Sequence, residues 1–264
     1  MNIFKQFIAS LYSPKMIAAF RHQKIGRGIG YVFLLMFITL IPIAISLGTT
    51  IHSFVTQLET QLEENVPDFA IENGVLSSTE VDEPVINEED GQTIVFDPTG
   101  SLTENDLRGE YTDAIALLER EAILITNGVA QESIGYQDFG LDLTKQEAVD
   151  LISSISGLLP LIIGIIVALL YLFFTAGKFI GVTVLALLGL MFRKSAGVPN
   201  LTFKHCWVIA AFTVTMPTVL FSIIDALHIP VPFQFGIYWV IAIVMLFQVF
   251  RNIPRPRTEE PKEL

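Results

Sequence analysis

Two stretches of this chain stay almost free of charge for longer than a soluble fold has use for. Residues 30–50 contain no Asp, Glu, Lys or Arg, and residues 157–192 contain only Lys178. Two shorter uncharged runs follow, 206–224 and 233–250. The hydrocarbon layer of a membrane is about 30 Å thick, so a helix rising about 1.5 Å per residue needs roughly 20 apolar residues to cross it. Lipid offers no partner to a bare backbone amide, which makes helices the expected form of all four runs. A composition that is 52% hydrophobic over 264 residues agrees with this and leaves length for a second domain.

Charge separates along the chain. Of 27 acidic residues, 23 fall between 52 and 156, against Arg108, Arg120 and Lys145, for a net of −20; the remainder carries +9. The chain therefore reads as an acidic module attached to a membrane body with basic edges. Its single cysteine, Cys206, rules out an internal disulfide, so the module must rest on its own core. The first apolar run is long for a signal-peptide core and no small-x-small site clearly follows it. It is read as an uncleaved signal anchor.

Lys and Arg near span ends mark the cytoplasmic side. They occur at 5, 15, 21, 24 and 27, at 193, 194 and 204, and at 251, 255, 257 and 262. Four crossings place all of these, with Lys178, inside or at the inner boundary. The awkward piece is 157–192, which as one straight helix would reach about 54 Å. The alternative, two crossings with a turn near Gly177-Lys178, moves the later basic residues outside and breaks the charge rule. One crossing, extended by a helix that runs on to 192, is preferred.

The expected fold class is an α-helical integral membrane protein of about four transmembrane helices, with a small α/β extracytoplasmic domain inserted between helices 1 and 2. Its parts are a basic amphipathic cytoplasmic segment (1–28), the first span (29–51), the acidic outer domain (52–156), a membrane domain (157–250) and a cytoplasmic tail (251–264). Within the membrane domain the helices are about 157–176 with an extension to 192, 206–225 and 233–250. In the first segment Phe4, Phe7, Ile8, Leu11 and Tyr12, then Met16, Ile17 and Phe20, recur at helical spacing among basic residues. That pattern suits an interfacial helix on an anionic leaflet; a disordered basic tail is the plainer reading.

In the acidic domain, 52–65 continues the first helix in polar form and Pro67 ends it. Asn73-Gly74 and Asn127-Gly128 are hairpin turns. Residues 81–91 read as an acidic loop, 93–96 as a strand closed by Asp97-Pro98-Thr99-Gly100, and 111–121 as a short helix. About five strands are expected in all. Thr144 with Glu147 forms a capping box that starts a helix running into the second span.

No residue pattern signals catalysis. Gly26-Arg-Gly28-Ile-Gly30 lacks the preceding strand and the Lys-Ser/Thr of a phosphate loop, and is read as backbone freedom where the chain meets the membrane. His22, His52, His205 and His228 are scattered, and adjacent His205-Cys206 is no zinc pattern. Asn87-Glu88-Glu89-Asp90-Gly91 lacks the alternating oxygen ligands of a calcium loop and reads as solvated surface. Lys178 and Asp225 are the ionisable residues of the spans. They are read as boundary groups, Lys178 snorkelling at the inner edge and Asp225 at the outer end of the third span, rather than as a transport path. Pro160 and Pro217 are kink sites, and Gly177-x-x-x-Gly181 permits close helix contact. No catalytic, cofactor-binding or metal-ligating residue is assigned, and no cofactor is expected.

The opening Phe4-Lys-Gln-Phe-Ile, Ser10-Leu-Tyr-Ser-Pro-Lys and Phe20-Arg-x-Gln-x-Ile-Gly, followed by a span and an acidic domain, resembles domain-of-unknown-function family 1189. The resemblance covers nearly the whole chain and implies a membrane protein of low-GC Gram-positive bacteria. It also implies a link to maltodextrin utilisation by gene neighbourhood. The stretch Leu201-Thr-Phe-Lys-His-Cys-Trp with Met216-Pro217 is similar to Yip-type membrane proteins. No residue role comes with either likeness. The acidic domain has no Trp, which counts against direct sugar stacking.

The expected function is a non-enzymatic accessory or sensing protein of the cell envelope, in the plasma membrane with both termini cytoplasmic. A small transporter or transporter subunit is the alternative, and a membrane-embedded enzyme the third reading. The expected partners are the lipid bilayer, a membrane or envelope protein and further copies of the chain, with no nucleic acid.

Overall fold

A computed structural model describes residues 1–89, 92–131, 133–138, 140 and 142–254. In chain order the first elements are α1 (Ile3–Tyr12), α2 (Pro14–Ala19), a 3₁₀ turn (Phe20–His22) and α3 (Ile25–Asn65). Next come β1 (Ala70–Glu72), β2 (Val75–Ser77), β3 (Val85–Glu89), β4 (Gln92–Phe96), α4 (Glu104–Leu107), β5 (Ala114–Leu117), β6 (Glu121–Thr126), β7 (Val129–Ala130), β8 (Ile134–Gly135) and β9 (Leu143–Thr144). The chain ends with α5 (Lys145–Phe192), α6 (Phe203–Thr213), α7 (Thr215–Ala226) and α8 (Gln234–Arg251). Two compact units result: a helical unit of 1–48 with 162–264, and a sheet unit of 49–161. Helices α3 and α5 contribute to both.

Among the described residues four stretches are long and apolar enough to cross a membrane: Ile25–Asn65, Lys145–Phe192, Phe203–Ala226 and Gln234–Arg251. Helix α5 passes through Gly177-Lys178 without a turn, which removes the geometry that the two-crossing alternative required. Phe203–Ala226 is not one even helix. Pro217 has no N–H to give the carbonyl of Thr213, and α6 and α7 meet at a break on Val214.

The core of the helical unit forms around α6. Phe212 packs between Phe20 (4.9 Å between ring centroids) and Tyr31 (4.1 Å). The N-terminal segment is folded into this unit, against the disordered-tail reading. Helix α1 buries Gln6, Ala9 and Ser10 and leaves Phe4, Ile8 and Tyr12 exposed, while α2 buries Ile17 and Ala18. The apolar stripe is thus split, with Phe4, Ile8 and Tyr12 facing away from the bundle and Phe7, Ile17 and Phe20 packed into it. Gly26, Gly28 and Gly30 all lie within α3, which corrects their reading as a flexible stretch. Gly28 is there for contact: a Cβ on it would stand 3.1 Å from Trp207 Cζ3.

In the sheet unit, β3-β4-β5-β6-β7 form one sheet, with β8 also on β6, and β2-β1-β9 a second. All pairings are antiparallel except β4 with β5, whose connection carries α4. Alternation gives the larger sheet two buried faces. Ile94 and Phe96 join Leu62, Val66, Ile71 and Tyr136 in one cluster, and Val95, Ala114, Ala116, Ile123 and Ile125 join Leu107 in the other. Burial and the nearby charge of Glu121 push the Tyr136 phenol well above its ordinary pKa. Both Asn-Gly turns take left-handed conformations at both residues, as a two-residue hairpin demands (φ 51° and 77°; 53° and 75°).

Three expectations for this unit fail. Residues 111–121 do not form a helix. Ala114-Ile-Ala-Leu-Leu-Glu-Arg favours one by propensity, but Ala114 and Ala116 present small side chains to the buried face while β4 and β6 take up the backbone. The helix appears earlier, as α4, capped by Thr103 with Asp106. The acidic loop 81–91 contains strand β3; Asp90 and Gly91 lie outside the described residues. Nine short strands stand among the described residues where about five were expected.

The ends of the long helices explain two charged residues. Lys145 donates from Nζ to the carbonyls of Glu63 (3.0 Å) and Val66 (2.7 Å), and Asn87 donates to that of Asn65. These groups satisfy the carbonyls that a helix leaves unpaired at its C-terminus. Thr144 and Glu147 form the expected box at the start of α5, with Thr144 N donating to Glu147 Oε2 at 2.8 Å. Asp97 organises the turn after β4. Its buried carboxylate accepts from the Thr99 amide (2.9 Å) and hydroxyl (2.6 Å), the Leu102 amide (2.6 Å) and the Ser101 hydroxyl (3.4 Å). Burial alone would raise its pKa, but these hydrogen bonds together hold it below the usual aspartate value.

Candidate functional site

Among the polar side chains of the helical unit, two groups stand around the break at Val214. In the first, the hydroxyls of Tyr31 and Thr215 meet at 2.5 Å, both fully buried. The second contains Lys178. Its Nζ donates to Thr218 Oγ1 and to the Tyr238 hydroxyl, each at 3.1 Å, and stands 4.7 Å from the centre of the Tyr238 ring.

The amine does not snorkel toward a helix end, as was expected of Lys178, but turns to these two hydroxyls. Thr218 lies 15 residues from the start of the stretch Phe203–Ala226 and eight from its end, roughly 22 Å and 12 Å along a helix. The amine is therefore deep in the unit and does not reach for an end. Among the described residues it forms no ion pair. Beside it lies a cavity of about 850 Å³, walled by α5, α7 and α8, with Phe173, Phe235 and Trp239 among its apolar lining.

The other residues marked in the sequence have structural roles. Asp225 lies at the end of α7, exposed as expected, and accepts from Gln234 Nε2 at 2.9 Å. Thr213 Oγ1 donates to its own helix, to the carbonyl of Ile209 at 2.9 Å. His205 caps α6 by accepting from the Thr202 amide at 3.3 Å, and its ring lies 5.7 Å from that of His22. His52 is exposed on α3, and His228 takes a left-handed conformation after α7. Cys206 is buried. Among the described residues no group of three or more His, Cys, Asp or Glu is placed to hold a metal ion. Gly177 and Gly181 make no close helix contact, since a Cβ on either would meet nothing within 4 Å; both line the cavity instead.

Lys178 stands out in the sequence but Tyr238 does not, being an aromatic in an apolar run like many others. Only the fold brings α5, α7 and α8 together at that point.

Among the described residues the chain has four helices long and apolar enough to cross a membrane, with the sheet unit between the first two in sequence, which is compatible with a membrane protein. More narrowly, the model of the family described as "Protein of unknown function (DUF1189)" matches residues 4–250, and the chain belongs to that family. No curated protein and no solved structure matches it.

Proposed function

We propose that the chain is a multi-pass protein of the bacterial plasma membrane that crosses four times, keeps both termini in the cytoplasm and holds its sheet unit outside. There it serves as an accessory or sensing component of the envelope, without catalysis. One observation carries this reading. The net charge of −20 on 52–156 lies between two membrane-length helices whose other ends are flanked by basic residues. The unbroken α5 supports four crossings over five. The sheet unit's two-faced core supports its role as a folded recognition module, and its charge favours cationic partners. A link to maltodextrin utilisation belongs to the same proposal; with no Trp in the sheet unit, it would run through a partner protein rather than through sugar stacking.

The test is labelling of whole cells with a membrane-impermeant thiol reagent. Cys206 is replaced and single cysteines are placed at Ser101, Ser195 and Asn252. Labelling at Ser101 alone is expected. Labelling at Ser195 or Asn252 would overturn the topology, and saturable turnover by the purified chain would overturn the non-enzymatic role.

A second reading, a transporter subunit assembled from several copies or with a partner, draws support from Lys178, because ionisable groups deep in spans often mark transport paths. It predicts solute flux in proteoliposomes that Lys178→Met abolishes.

A further inference from the structure

A lysine ammonium has three hydrogens to donate. Two of those on Lys178 are committed, to Thr218 and Tyr238. Thr218 gives its own hydrogen to the carbonyl of Val214 at 2.6 Å. Tyr238 is then the donor across the 3.2 Å contact between the two hydroxyls. Every hydroxyl hydrogen of the cluster is thereby used, and one N–H of Lys178 is left without an acceptor in the cluster. Neither acceptor it has carries charge, and a half-buried cation among apolar side chains without a counter-charge is costly.

The room beside this amine is built in. The cavity follows α5 from Phe173 to Gly181 and α8 from Gln234 to Ala242, about 12 Å along each helix. Its volume of about 850 Å³ falls in the range of small-molecule sites, roughly 300–1,000 Å³. Gly177 and Gly181, one turn apart, give it width on the Lys178 helix. Among the described residues no acidic one lines it. Asp225 lines a smaller adjoining hollow that Lys178 also borders, and its carboxylate is engaged by Gln234. At the rim Phe173, Ile180 and Phe235 are 73%, 67% and 78% exposed, so an apolar body could extend from the cavity over apolar side chains.

We propose that this cavity binds an amphiphilic carboxylate, its head on Lys178 Nζ and its hydrocarbon along the apolar walls and out over the rim. A single available N–H, with no arginine in the lining, suits a small monoanionic head rather than a phosphate. The depth of the site selects further. A carboxylic acid can enter an apolar layer in its neutral form, because burial raises its pKa. Beside the Lys178 ammonium it gives up that proton to water, and the resulting carboxylate accepts the free N–H. A phosphodiester has no such neutral form near neutral pH and would carry its full charge inward.

The test uses Trp239, one of only two tryptophans and part of the cavity wall. The purified full chain in phosphatidylcholine nanodiscs is titrated with dibromostearate, whose bromines quench a neighbouring indole. Saturable quenching is expected, and Trp239→Phe should remove it. Lys178→Met should weaken binding at least about tenfold, as loss of a charge-assisted hydrogen bond requires. Gly181→Leu, which fills the cavity and leaves the lysine in place, should do the same. The methyl ester of the probe needs no variant and should not saturate the wild-type chain. Equal saturation by the ester, or undiminished binding by Lys178→Met or Gly181→Leu, would overturn the proposal. So would Lys178-dependent quenching by brominated phosphatidylglycerol with none by dibromostearate, which would assign the site to a phospholipid headgroup.

Discussion

The two units of this protein each hold a half-buried lysine amine on neutral oxygen acceptors, with a carboxylate nearby only for Lys145 (3.9 Å from Asp68), and they use it differently. In the sheet unit Lys145 spans 82 residues of sequence to close the end of α3, its amine on two backbone carbonyls that would otherwise be unpaired. In the helical unit Lys178 reaches two hydroxyls that are already linked to each other. Removing Lys145 strands acceptors. Removing Lys178 strands nothing, because Thr218 and Tyr238 keep their own bond. The first lysine is part of the fold, while the second is carried by the fold at a cost, and a cost retained inside a well-packed unit points to use.

The comparison can be broken at several strengths. The largest effect should come from Phe96→Ala, which empties a 1% exposed position in the sheet core and should cost about 3–5 kcal/mol. Hydrogen exchange should then speed up across β3 to β6 and leave the amides of α6 unchanged; loss of protection in both would show that the units do not have separate cores. Lys145→Met should cost roughly 2 kcal/mol, the scale of hydrogen bonds from a charged donor, and should fray the last turn of α3 first.

Asp97→Asn should cost about 1–2 kcal/mol and also change the response to acid. Because the folded pKa of Asp97 lies below its unfolded value, its stabilisation is complete above about pH 4 and is lost as pH falls through the folded value. Acid titration of sheet-unit stability should therefore be shallower in the Asn variant; identical slopes would mean the turn does not depend on the carboxylate. The smallest effect separates two glycines of the helical unit. Gly181→Ala should raise thermal stability by up to about 1 kcal/mol through helix propensity alone. Gly28→Ala should not, because the new methyl group would press on Trp207.

Local features were legible in the sequence. The Asn-Gly turns, the Thr144–Glu147 box, the polar continuation of α3 and the break near Pro217 each depend on a few neighbouring residues, and the structure contains them all. What failed depended on distant partners. Residues 114–117 carry a helical propensity that pairing with β4 and β6 overrides. Lys145 looked like one of three stray positive charges, since its acceptors lie 82 and 79 residues away. Lys178 was visible as a charge in an apolar run, but its depth was not, because Thr218 and Tyr238 are 40 and 60 residues distant in sequence. Glycine spacing likewise suggested helix contact at Gly177 and Gly181, where the fold instead leaves space.

Thermal unfolding of Lys178→Met beside Lys145→Met, each with and without dibromostearate, tests the division of roles most directly. Lys178→Met should melt at or above the wild-type temperature, while Lys145→Met melts below it. The ligand should raise the melting temperature of wild type and of Lys145→Met, by linkage to the folded state, and leave Lys178→Met unmoved. If Lys178→Met instead melts as low as Lys145→Met, and the ligand shifts neither, then both lysines are structural and the cavity is only a gap in packing.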